Sequence, residues 1–512
     1  MYPTRFSRAG VLVAFGVVAT FLAGCVSVAP VERTSTPAAD SSVPAELQEY
    51  YGQELTWTSC DDDMECALAE APLNWAEPSG EKIQLALVRQ SALGGTAQGS
   101  LFVNPGGPGA SGVDYISQNI SGAVGKPLQE AFDVIGFDPR GVGQSSAVAC
   151  FDAQRMDEYL FGVADNPVGT DAWIQETRES ARELGEACQT NTGALLQYVD
   201  TVSAARDLDM LRSVVGDSKL NYLGYSYGTY LGAHYAELFP QNVGRLVLDG
   251  AIDPATSNFE VIKTQTIGFE NAMKAFLADC IGSSGCPYRG TVDEAMAQVG
   301  SLLDSVQNNP ITASDGRRLS SGTLLTALIT PLYSQEAWPA LKQILTATIA
   351  GNADLAFLSA DLYHGREDGK YKDNSFEAFM GINCLDYEYN DDVSVMRAQA
   401  SELAAAAPTF GRFQGYGDIG CAQWPYKNTT PRGELHAEGA DPILVIGTTN
   451  DPATPYEWAV ALSEQLDSGV LVTYVGEGHT AYSSSNACVA DVVESYFLRG
   501  TVPDTDPRCE SQ

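Results

Sequence analysis

Five consecutive residues, Gly224-Tyr225-Ser226-Tyr227-Gly228, have the types and spacing to present a nucleophile. They follow a short apolar run, Asn221-Tyr222-Leu223, and precede a stretch of helical periodicity. The serine therefore falls on a sharp strand-to-helix turn, a G-x-S-x-G elbow that exposes its hydroxyl at the end of a sheet. Glycines flank such a turn for a steric reason, because side chains beside the doubled-back chain would collide. The chemistry served is attack of an activated hydroxyl on a carbonyl. That requires a base, an acid to orient the base, and donors for the oxyanion.

Scarcity narrows the base, because the chain has only four histidines. His234 falls eight residues past the serine on the same helix, His364 lies in a polar Tyr-His-Gly-Arg stretch, and His436 sits in a connection with no strand before it. His479 follows the apolar run Val470 to Tyr474 in the loop Gly476-Glu477-Gly478-His479-Thr480, whose glycines let the ring reach across the sheet edge. It is assigned as general base, then general acid. The run Pro442 to Gly447 ends at Thr448-Thr449-Asn450-Asp451, which makes Asp451 the orienting acid. Asp249, closing the run Arg245 to Leu248, is the competitor one strand earlier. Thr454-Pro455-Tyr456-Glu457 reads as a helix-capping box with proline at the first helical position. For the oxyanion, Asn104-Pro105-Gly106-Gly107-Pro108-Gly109 follows the run Ser100 to Val103. Pro105 and Pro108 have no N–H, so the donor comes from Gly106, Gly107 or Gly109, with Gly107 favoured. The second donor is the N–H of Tyr227, at a helix N-terminus. No G-x-x-x-x-G-K-[ST] pattern occurs at this loop, which argues against phosphate binding.

These residues need a scaffold. Thr201 to Val215 and Thr229 to Phe239 have helical periodicity around the elbow strand. The runs Ser100 to Val103, Asp133 to Phe137, Arg245 to Leu248, Pro442 to Ile446 and Val470 to Tyr474 are continuous and apolar, as strands covered on both faces are. The order serine, acid, histidine is that of α/β-hydrolases. The expected fold is therefore α/β: a mostly parallel sheet with helices on both faces, and a helical cap inserted before the acid-bearing strand. Helical stretches at Thr291 to Asn308, Gln335 to Ala350 and Ser394 to Ala407 place the cap at residues 254–426, between core segments 46–253 and 427–512.

Composition sets the context. Arg5 and Arg8 precede the apolar run Val11 to Ala23, well short of the ~20 residues that span a membrane, so residues 1–24 read as a signal peptide. Leu22-Ala23-Gly24-Cys25 has the form of a lipobox, which makes Cys25 a lipidated N-terminus and residues 25–45 its flexible tether. The expected location is outside the cell, anchored to the membrane by lipid alone. Ten of the eleven cysteines remain, an even number that suits five disulfides in an exported chain. Close spacing pairs Cys60 with Cys66 and Cys280 with Cys286. Chain order pairs Cys150 with Cys188, Cys384 with Cys421 and Cys488 with Cys509, one of several connectivities that six cysteines allow. No C-x-x-C or H-E-x-x-H spacing suggests a metal, and no cofactor is required. A formal net charge of −36 disfavours nucleic acid.

Taken together, Asn104 to Gly109, Phe137-Asp138-Pro139-Arg140-Gly141, Leu220 to Gly232, Asn450 to Pro455 and Gly478-His479 resemble bacterial secreted tripeptidyl aminopeptidases. These are relatives of proline iminopeptidase within the α/β-hydrolases. In the iminopeptidases the first motif reads His-Gly-Gly-Pro-Gly; Pro105 stands here in place of the histidine. The resemblance implies an exopeptidase that releases short peptides from free N-termini through an acyl-enzyme. Such an enzyme needs an anion for the substrate ammonium, and Asn383-Cys384-Leu385-Asp386-Tyr387-Glu388 offers Asp386 and Glu388. The alternatives are a carboxylesterase, lipase or endopeptidase with the same triad, and a non-catalytic envelope-binding protein, which would have no use for all three residues.

Overall fold

In a computed structural model of the chain, residues 33–38, 43–61, 63–482 and 486–511 are described. The signal-peptide residues 1–24 and Cys25 lie outside them. Eleven strands form one sheet: β1 (Arg33–Thr34), β2 (Thr56–Asp61), β3 (Met64–Pro72), β4 (Lys82–Gln90), β5 (Ser100–Asn104), β6 (Asp133–Phe137), β7 (Leu220–Tyr225), β8 (Val243–Asp249), β9 (Ile443–Asn450), β10 (Gly469–Glu477) and β11 (Arg508–Glu510). Their spatial order is β1-β2-β3-β4-β6-β5-β7-β8-β9-β10-β11. The strands from β1 to β4 pair antiparallel, as does β4 with β6. From β6 onward every pairing is parallel.

The central strands are apolar throughout because both faces are covered. Phe102, Tyr222, Leu248 and Val445 enter one core with Leu208, Leu211 and Leu231 from the helices Thr201–Val214 and Tyr227–Leu238. Their neighbours Val103, Leu223, Val247 and Leu444 enter a second core with Ile116, Val493 and Phe497. This alternation along each strand is the two-residue period of a pleated chain.

A third core lies within the segment inserted between β8 and β9. Met273, Phe276, Leu303, Leu328, Leu345 and Phe357 pack together there, on the helices Asn258–Cys280, Val292–Asn308, Ser321–Ile329, Trp338–Ile349 and Asp354–Tyr363. Thr291 caps the second of these with the reciprocal bonds to Glu294 that its sequence predicts. The cap also draws on residues before the elbow. Phe161 joins its core, Asp157 pairs with Arg366 at 2.7 Å, and Ile174 and Ala181 pack on Met396 and Ile419. The helices Ala153–Phe161 and Asp171–Thr192 thus pack on the inserted segment, and the second also enters the sheet core through Leu184 and Cys188.

One difference from the sequence reading concerns the tether expected over 25–45. Residues 33–38 are docked: β1 pairs with β2, Ser35 N–H donates to Leu55 O at 3.0 Å, and Ala38 N–H to Ser213 O at 2.8 Å. Adding an edge strand requires only backbone hydrogen bonds, so a composition rich in serine, threonine and proline did not reveal it. The five disulfides join Cys60–Cys66, Cys150–Cys188, Cys280–Cys286, Cys384–Cys421 and Cys488–Cys509. The Asp-Pro-Arg motif after β6 is structural. Arg140 is fully buried, pairs with Asp207 at 2.6 Å and donates to the carbonyls of Pro72, Leu73 and Tyr198. Asp138 accepts from Ser111 Oγ at 2.6 Å and Val113 N–H at 3.1 Å, which fixes the helix that follows the glycine-rich loop.

Candidate active site

Strand β7 ends at Tyr225 and the helix Tyr227–Leu238 begins, leaving Ser226 between them at φ 55°, ψ −123°. A non-glycine residue in such a conformation costs on the order of 1–3 kcal/mol and persists only where its surroundings impose it. Here Ser226 N–H donates to Asp249 O at 2.9 Å, and Ser226 O accepts from Thr229 N–H at 2.9 Å and Thr229 Oγ1 at 2.6 Å. The flanking glycines are required by contact. A Cβ on Gly224 would lie 2.5 Å from Gly228 O, and one on Gly228 would lie 2.8 Å from Asn104 Oδ1.

His479 follows β10 in a loop bent on both sides, with Gly478 at φ 99° and Thr480 at φ 68°. Its Nδ1 lies 2.9 Å from both carboxylate oxygens of Asp451, which follows β9. Asp451 is buried and held in turn. It accepts from Ala453 N–H at 2.9 Å, Thr454 N–H at 2.8 Å and Thr480 N–H at 3.1 Å. Burial alone would push the imidazole down; the charge and hydrogen bond of Asp451, with Asp249 adding, outweigh it and hold His479 above its ordinary value.

Asp249, the competing acid, does a different job. Its carboxylate accepts from Ala481 N–H at 3.0 Å and Tyr482 N–H at 2.7 Å, so it fixes the chain just after His479. Burial pushes its carboxyl up to about 6. Thr454 overturns the capping-box reading. The helix begins at Tyr456 with no side-chain cap, because Pro455 is extended (ψ 141°) and sets Thr454 outside the first turn. Thr454 Oγ1 instead donates to Asp451 Oδ2 at 3.0 Å and lies 3.2 Å from His479 Nδ1. The sequence signal for this was the Asp-Pro-Ala-Thr turn, whose leading carboxylate accepts from the N–H groups two and three residues on. Tyr333, in the cap, was not singled out at all. Its carbonyl accepts His479 N–H at 2.8 Å and its ring meets the imidazole edge-on, centroids 5.4 Å apart, a long-range contact without a local sequence signature.

The glycine-rich loop after β5 presses on the elbow, since a Cβ on Gly106 would lie 2.5 Å from Tyr225 O. Gly106 N–H is already bonded to Asn104 Oδ1 at 3.0 Å. Gly107 and Tyr227 line one cavity of about 240 Å³, walled by Ile262, Phe379, Tyr387 and Tyr389. Asp386 is the single carboxylate among its described lining residues. It is buried, accepts from Thr201 N–H at 2.9 Å and Thr201 Oγ1 at 2.6 Å, and burial pushes its carboxyl up to about 7. Glu388 is exposed and lines no part of this cavity. After the helix Ser375–Asp386 the chain runs extended, so side chains alternate and Glu388 faces away while Tyr387 and Tyr389 face in; the expectation that it meets the ligand is corrected. The other histidines stand apart. His234 packs edge-on to Tyr230 and His364 to Phe161, and burial lowers them to about 3 and 4; His436 is exposed.

Sheet order and elbow together define a serine hydrolase of the α/β-hydrolase class. A family model described as TAP-like protein matches residues 407–509. Over 477 residues, 90% of this chain and 91% of the relative, the sequence is 33% identical to serine protease Hip1 of Mycobacterium tuberculosis. It is 36% identical over 480 residues to carboxylesterase B of the same organism, covering 89% and 90% of the two chains. With tripeptidyl aminopeptidase of Streptomyces coelicolor it shares 30% identity over 471 residues, covering 89% and 86%. The chain belongs to this TAP-like family of α/β-hydrolases.

Proposed function

We propose that the protein is an exported aminopeptidase that removes short peptides, tripeptides among them, from free N-termini. Ser226 Oγ attacks the scissile carbonyl. His479 takes the hydroxyl proton at Nε2, because its Nδ1 proton is held by Asp451, and returns it to the departing amine. The N–H groups of Gly107 and Tyr227 receive the oxyanion. Water then enters by the same route and releases the peptide. The observation that carries the exopeptidase reading is Asp386, a buried carboxyl in the cavity that holds both oxyanion donors. An ammonium brought under a cap needs an anion or suffers a large desolvation penalty, whereas an ester does not. The aromatic walls suit apolar residues beside the cleaved bond.

The test compares a tripeptide amide with its N-acetylated form. The free amine is expected to be cleaved at least ~100-fold faster in kcat/KM, about 2.7 kcal/mol of transition-state discrimination. Asp386→Asn should shrink that ratio and leave a small activated ester nearly unaffected. The pH dependence has a sign. Asp386 ionises as pH rises through about 7 in the empty site, while a peptide ammonium is lost above ~8. The peptide's kcat/KM should therefore fall on both sides of that window, more steeply on the acid side than for the ester, which needs only neutral His479. Equal rates on free and acetylated peptides would instead favour the esterase or endopeptidase reading.

Lipid anchoring at Cys25 is part of the same proposal. Support comes from Leu22-Ala23-Gly24-Cys25 and from ten other cysteines all engaged in disulfides, which form in oxidising compartments. Native protein should need detergent for extraction, and Cys25→Ser should abolish lipid labelling. A wild-type mature chain that partitions wholly into buffer would defeat the anchor.

A further inference from the structure

The cavity lined by Gly107 and Tyr227 has a larger neighbour. A second cavity, of about 480 Å³, has Tyr230 and Asp386 in its wall as the first does, and is lined further by residues of the elbow helix and of the helix Thr201–Val214. Its wall carries charge of both signs. Asp200 caps the second helix, accepting from Ser203 N–H at 2.9 Å. Arg206 and Lys427 also line it, and neither forms an ion pair among the described residues. The Arg206 guanidinium makes no ion pair or hydrogen bond among the described residues, and Lys427 Nζ reaches only the carbonyls of Cys421 and Ala422. His234, on the same wall, has a buried Nε2 with no partner among the described residues. Two cations without an ion pair in one cavity wall are notable in a chain of formal net charge −36, although Arg206 also lines a separate cavity that contains Asp209.

A wall with cations along it and a carboxyl that lines both cavities complements a zwitterion. Hydrolysis makes one. The substrate's acyl side carries an ammonium but continues as an amide; once cut, the same short peptide ends in a carboxylate. We propose that the larger cavity binds the released peptide, taking its new carboxylate at Arg206 and Lys427 while its ammonium stays beside Asp386. Product is thereby distinguished from substrate by the one charge that cleavage adds, and it is drawn away from Ser226. This rests on the aminopeptidase reading above.

The test is titration calorimetry on the full chain carrying Ser226→Ala, so that neither ligand is cleaved, using a free tripeptide and its C-terminal amide. The acid is expected to bind about tenfold more tightly than the amide, the scale of two partly exposed charge contacts. Adding Arg206→Gln and Lys427→Gln should bring the two affinities together by weakening the acid alone. Amide binding serves as the internal measure that the variant is folded. Equal affinities for acid and amide before those changes, or a preference that survives them, would overturn the assignment. Failure of the underlying reading looks different, since free and acetylated substrates would then be cleaved alike whatever the product affinities.

Discussion

Ser226→Ala or His479→Ala is expected to lower kcat by on the order of 10⁶, and the two changes together should cost little more than either. The reason is that they act as a unit. Ser226 is weak as a nucleophile until a base takes its proton, and His479 has no other hydroxyl to serve at the elbow. Both are held by geometry that survives truncation. The elbow is fixed by backbone contact between Gly224, Gly228 and Asn104, and the histidine loop is tied by Asp249, Asp451 and Tyr333. A fluorophosphonate probe reads the same assignment directly, labelling the wild-type chain once and the Ser226→Ala variant not at all. Surviving label, or losses that multiply in the double variant, would remove the pair. The pH profile adds a sign. Because Asp451 and Asp249 hold the imidazole above its ordinary 6.5, the rate on a neutral ester should fall as pH drops through a midpoint above that value.

How much of this was legible follows the range of each interaction. The elbow, the five parallel strands around it and the capping box at Thr291 are local: a run of apolar residues, a glycine pair or a threonine three residues from a glutamate carries the information within one element. The same holds for the loop glycines beside His479. What escaped was set by contacts between distant segments. The acid was read at Asp451, but the job of Asp249 was not legible: it too closes an apolar strand, and only once β8, β9 and β10 are side by side do the N–H groups of Ala481 and Tyr482 lie opposite it. Thr454 had a sound local rationale as a cap, and a one-residue shift of the helix start gave it another partner. Tyr333 and the helices Ala153–Phe161 and Asp171–Thr192 reach the cap and the base only through tertiary packing. Glu388 failed for the opposite reason. Its neighbour Asp386 ends a helix, and the extended chain beyond it turns alternate residues outward.

Asp451→Asn should lower kcat by about 10⁴, and Asp249→Asn by no more than about 10². Both aspartates lie near the base, both are buried, and both close a strand, so the comparison isolates what each carboxylate touches. Asp451 meets His479 Nδ1 with both oxygens at 2.9 Å. An asparagine there presents an N–H to the ring, favours the tautomer with its proton on Nε2, and withdraws the charge that stabilises the imidazolium, which is the full loss expected when a triad acid is neutralised. Asp249 makes no hydrogen bond to the ring; apart from the smaller effect of its charge, it reaches the base through the main chain, by way of Ala481 and Tyr482. Its asparagine keeps an acceptor but loses charge-assisted bonds to buried N–H groups, so the cost falls first on stability, about 1.5–3 kcal/mol, and only then on the placement of His479. Steady-state kinetics with denaturant unfolding of both variants separates the two effects. If Asp249→Asn were the more damaging to kcat while leaving unfolding unchanged, the acid would lie one strand earlier and the Asp451 pairing would be structural.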